Sequence, residues 1–69
     1  MKQYAIVIEW GPRNYGAWVP DLPGCVSTGK TLAEVRRNIR EAIAFHIEGT
    51  EEGGEVVPEP TIAGSTVEV

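Results

Sequence analysis

The sequence predicts an α+β fold in two layers: a three-stranded antiparallel meander, one helix and a final strand. Three observations carry that reading. β-Branched and aromatic side chains dominate residues 2–10, and a turn followed by a second strand-like stretch comes directly after them. An apolar arc at helical spacing opens on a capping box formed by Thr31 and Glu34. Between them lies a segment with two prolines, Pro20 and Pro23, which no central strand accommodates because each proline removes a ladder donor. The chain has 69 residues, enough for one domain. No repeat or linker divides it, so residues 1–69 are read as a single unit.

The elements follow in order. Tyr4, Ile6, Ile8 and Trp10 fall on one face of a strand over 2–10. Gly11, Pro12, Arg13 and Asn14 form a turn, and residues 15–19 return as the second strand of a hairpin. A four-residue loop sets Trp10 opposite Tyr15, Ile8 opposite Ala17 and Ile6 opposite Val19. Ala5, Val7 and Trp18 then occupy the other face; a slip of one residue would exchange the two. Both faces are apolar, and one helix covers only one of them, which leaves the second for a subunit or partner contact. Pro23 and Gly24 suit a type II turn with Gly24 at positive φ, and residues 25–28 form a short third strand. Leu32, Val35, Ile39, Ala42, Ile43, His46 and Ile47 define the inner face of a helix over 32–48, with Gly49 expected to end it. Residues 50–55 read as a mobile loop, 56–60 as an extended, proline-stiffened segment, and 65–69 as the last strand.

Composition bounds the function. Hydrophobic residues make up 42% and charged residues 23%, a soluble globular balance. The longest unbroken apolar run, residues 4–8, is far too short to span a bilayer, so no membrane role is expected. The single cysteine, Cys25, allows no internal disulfide and fits a reducing, cytoplasmic setting. A small core without staples favours a homo-oligomer. The net charge of -4 disfavours unaided DNA binding and suits a basic partner.

One run of motifs points further. Trp18, Val19, Pro20, Asp21, Leu22, Pro23, Gly24 and Cys25 lead into Gly29, Lys30 and Thr31, then Glu34 and Val35, then Asn38, Ile39, Arg40, Glu41, Ala42 and Ile43. With Glu9 closing the first strand and Pro58 and Pro60 downstream, this pattern resembles the HicB-like antitoxin family over nearly the whole chain. Lys30 stands where members commonly have an acidic residue, and Val35 where alanine is common. The resemblance implies a β-β-β-α-β fold similar to a truncated ribonuclease H sheet, with residues 1–69 a single HicB-like domain. It implies a dimer or tetramer and a small basic HicA-type toxin, an mRNA-cleaving ribonuclease, as partner. Many members carry a C-terminal DNA-binding domain; this chain ends at Val69 without one, so autorepression is not expected of it alone.

Each candidate residue has a bland reading beside a sharp one. Cys25 and His46 would need a base, a depressed thiol pKa and an oxyanion hole to act as a nucleophilic pair; a packed thiol and a core-rim histidine suffice. Glu9, Asp21 and Glu34 would need to converge on a divalent metal to make a vestigial nuclease, and capping already explains Glu34. Arg36, Arg37 and Arg40 would suit nucleic acid, or would simply cover apolar surface with their stems. No catalytic set, cofactor or metal site is therefore expected. The partner-binding candidates are Trp18, Glu34, Glu41 and Phe45: aromatic anchors beside acidic residues, matched to a basic protein. The expected function is antitoxin activity by occlusion, against the alternative of a solitary oligomeric regulator that binds nucleic acid or a small ligand.

Overall fold

The structure, a computed structural model, describes residues 2–69. Three strands, β1 (Val7–Trp10), β2 (Tyr15–Trp18) and β3 (Val26–Gly29), form an antiparallel sheet in the order β1-β2-β3, and the helix α1 (Leu32–Glu52) follows. The hairpin has the register expected from its loop length: Trp10 faces Tyr15 and Ile8 faces Ala17. The Gly11 N–H donates to the Asn14 carbonyl at 2.9 Å and closes the loop.

Strand β1 is shorter than the alternation suggests, because residues 2–6 have no ladder partner. Beyond Trp18 the neighbouring strand has little left to donate. The Val19 N–H is committed to the Cys25 carbonyl at 3.2 Å, and Pro20 has no N–H.

The corner over residues 20–25 contributes two side chains, Leu22 and Cys25, to the core. Leu22 points into the core and is fully buried. The Cys25 N–H donates to the Leu22 carbonyl at 3.0 Å, and Gly24 adopts φ 86, as the i+2 position of a type II turn requires. Ala17, Val19, Leu22, Cys25, Val35 and Ile39 make the core, with Tyr4, Ile6, Ile8, Tyr15, Ala42 and Ile43 packed around it.

Helix α1 lies against β3 and β2 and does not touch β1. Gly29 sets how closely the helix approaches. A Cβ there would stand 2.6 Å from the Val35 backbone nitrogen and 2.9 Å from its Cα, so only glycine admits the helix start at this distance.

Two expectations are corrected at the C-terminal side. The helix does not stop at Gly49; it continues to Glu52, so residues 50–52 are helical and not loop. Gly54, at φ 76, is the terminator, with its N–H donating to the Glu51 carbonyl and the Glu55 N–H to the Thr50 carbonyl, both at 3.0 Å. This is a Schellman ending with glycine at C′. The final strand at 65–69 does not form: those residues are irregular and exposed. A strand needs a paired edge, and among the described residues no backbone hydrogen bond joins this segment to the sheet.

The segment after the helix is nevertheless held. Val57 is buried, the Tyr4 hydroxyl donates to the Pro58 carbonyl, and Lys2 pairs with Glu59 at 3.1 Å. Asp21 then takes three hydrogen bonds, from the Thr61 hydroxyl and from the Thr61 and Ile62 amides. Among the described residues no helix is long and apolar enough to cross a membrane.

Candidate functional site

The start of α1 fixes the first candidate. The Glu34 N–H donates to Thr31 Oγ1, and the Lys30 N–H donates to Glu34 Oε1, both at 3.0 Å. This is the reciprocal capping box, so the Glu34 carboxylate is half-buried and already engaged with backbone. Glu41 and Phe45 follow seven and eleven residues later, on the same flank of the helix. Phe45 is 79% exposed, and Glu41 is also exposed. Asn38 shares this flank and donates its Nδ2 to the Thr28 carbonyl at 2.8 Å, which places the flank over β3. Glu34, Glu41 and Phe45 are therefore one acidic and aromatic stripe.

Trp18 lies elsewhere. Residues alternate across a strand, so burial of Ala17 and Val19 under the helix turns Trp18 to the sheet's uncovered face. There it is 41% exposed, in a row with its register partners Val7 and Val26. Its indole Nε1 donates to Glu9 Oε1 at 3.1 Å, a diagonal pair across the hairpin. The two surfaces face opposite ways: three of the four candidates come together, and Trp18 stands on the other side of the sheet. Glu9 and Val26 accompany Trp18, and only the register of all three strands reveals them. Val26 escaped the sequence reading because the face of β3 depends on where its ladder begins.

The remaining reactive side chains are occupied structurally. Cys25 is buried, and burial pushes its thiol above the ordinary value, the direction opposite to activation. His46 is half-buried and its carbonyl accepts the Thr50 hydroxyl at 2.9 Å. The hydrogen bond from the Thr61 hydroxyl, reinforced by the Thr61 and Ile62 amides, holds the Asp21 carboxyl below its usual range against a smaller opposing effect of burial. This tie joins residues forty positions apart, and nothing local in the sequence signals it. Glu9, Asp21 and Glu34 each serve a different hydrogen-bond partner. Among the described residues no three His, Cys, Asp or Glu side chains converge to hold a metal ion.

Comparison with known proteins gives the family. The family model described as the HicB-like antitoxin of bacterial toxin–antitoxin systems matches residues 4–68. A UPF0150 protein of Thermotoga maritima is 36% identical over 99% of this chain and 91% of its own length. A UPF0150 protein of Thermoplasma acidophilum is 37% identical over 97% of each chain. A 14.9 kDa protein in the rep-hol intergenic region of Haemophilus phage HP1 is 51% identical over 80% of this chain, and the match spans 41% of that protein's length. With the family model covering nearly every residue, the chain belongs to the HicB-like antitoxin family of bacterial toxin–antitoxin systems.

Proposed function

We propose that the chain is the antitoxin of a type II pair and neutralises a small, basic, mRNA-cleaving toxin of the HicA type by occlusion. The observation that carries this reading is the stripe of Glu34, Glu41 and Phe45 on the outer flank of α1. An aromatic ring that serves no core, beside carboxylates, fits an interface whose centre is apolar and whose partner is basic. Phe45 anchors the contact, and Glu41 supplies free negative charge. Glu34 contributes field only, since its carboxylate caps the helix. Trp18 belongs to a second contact on the far side of the sheet. No chemistry is asked of the chain, which acts as a single domain in the cytoplasm and assembles as a dimer or tetramer.

The test is co-purification with the product of the adjacent reading frame, followed by an mRNA cleavage assay. A small basic ribonuclease that is captured and inhibited supports the reading. A neighbour of another kind, or one that binds without inhibition, removes it. Phe45→Ala is expected to weaken the complex by about 2 kcal/mol, roughly thirtyfold in Kd, with no change in unfolding midpoint because the ring is exposed. Isothermal titration against the toxin reads the first effect and urea denaturation the second.

A further inference from the structure

Helix α1 leaves a groove along its other flank, between the helix and residues 2–6, with a volume of about 1110 Å³. Its floor is apolar, built from Tyr4, Ile6, Ile39, Ile43 and Ile47. Its rim carries Lys2, Arg36, Arg37 and Arg40, four of the six cations in the chain, and no carboxylate lines it. Glu59 of the same chain answers Lys2, and among the described residues no ion pair closes on the three arginines. The groove is larger than the span of about 300–1,000 Å³ usual for small-molecule sites and suits a peptide segment. The basic toxin proposed above would be repelled from it.

Charge is divided along the sequence in a complementary way. Residues 1–40 hold all six Lys and Arg side chains against three carboxylates. Residues 41–69 hold seven carboxylates and no Lys or Arg. The last stretch of this acidic half, residues 62–69, sits outside the groove of its own chain and displays Ile62, Val67 and Val69 to solvent, with Glu68 between the two valines. It carries what the groove lacks: apolar side chains for the floor and negative charge for the rim. We propose that the groove is a self-association site, filled by residues 62–69 of a second copy of the chain, with Glu68 set against Arg36 and Arg40. A reciprocal exchange between two copies satisfies both grooves and closes the assembly as a dimer. The proposal shares its self-association with the antitoxin reading, but it uses the opposite flank of α1 from Phe45, so toxin binding survives its failure.

Sedimentation equilibrium of the full chain over a dilution series tests it, with circular dichroism to verify folding. The native chain is expected to dimerise. The double change Arg36→Glu with Arg40→Glu should weaken that dimer at least about tenfold, as expected for close interfacial charge pairs. Val67→Asp, outside the packed core, should weaken it comparably. Adding Glu68→Arg to Arg40→Glu should restore association. A chain that stays monomeric at every concentration overturns the proposal, as does a dimer insensitive to both sets of changes. Retained assembly in the arginine variant, with loss only of salt-sensitive binding to a single-stranded oligonucleotide, assigns the groove to nucleic acid and overturns it equally. Phe45→Ala is expected to leave the dimer constant unchanged, which separates this test from that of toxin binding.

Discussion

Gly29 is the residue on which the two layers close. The atoms that a Cβ would meet belong to the backbone of the first helical turn, so no rotamer change relieves the contact. Gly29→Ala is expected to cost about 1–3 kcal/mol, the usual range for overpacking. Urea denaturation would register it as a lower midpoint. Gly16→Ala is the control, because nothing lies within 4 Å of its added methyl. Asp21 makes a different kind of prediction. Its hydrogen bonds from Thr61 and Ile62 favour the ionised carboxyl, so the folded pKa lies below the unfolded value of about 3.9. A depressed acid stabilises above its unfolded pKa and loses that contribution as pH falls through the folded one. The Thr61 and Ile62 amide resonances should therefore titrate with a midpoint below about 3.9. Asp21→Asn should abolish that titration.

At the scale of elements, helix α1 shows where sequence reasoning succeeds and where it stops. Its start was legible because Thr31 and Glu34 satisfy orphan amides through local side-chain contacts. Its end was not, since Gly49 and the glycines at 53 and 54 look alike in sequence, and the choice rests on which carbonyls find donors. The bonds to the Glu51 and Thr50 carbonyls assign termination to Gly54. Gly49 is thus an interior helical glycine with open space around it. Gly49→Ala is expected to stabilise the protein by about 0.5–1 kcal/mol, measured as a higher melting temperature. The hairpin register was equally legible, because a loop of fixed length leaves one pairing. The failed strand at 65–69 shows the opposite case. Alternation of Val67 and Val69 describes a face, but a strand also needs ladder hydrogen bonds, and among the described residues this segment makes none to either edge of the sheet.

At the scale of the whole molecule the shape is extended. The radius of gyration is 13.0 Å, against about 11 Å for a compact chain of this length. A helix of about 31 Å and the irregular C-terminal segment account for the difference. The core is correspondingly thin, and Leu22 closes one end of it from a loop. Leu22→Ala is expected to cost about 2–5 kcal/mol, a large share of the stability of so small a chain, and would show as partial unfolding at ambient temperature. The loop motif around Leu22 was recognisable in sequence as a corner. That its leucine is a core plug was not, because burial of a loop residue depends on what the helix leaves open.

The hydrogen bond from Trp18 to Glu9 has a practical consequence. An indole half in water, with its N–H held by a carboxylate, is an intrinsic optical reporter for one side of the sheet alone. Trp10, exposed at the hairpin tip on the helix side, supplies the competing emission. With Trp10 replaced by Phe, a binder that settles on the sheet's bare surface should shift the colour of the remaining fluorescence. One that settles on the helix should leave it unchanged. Light emitted by the unlabelled protein would then tell which side a ligand has chosen.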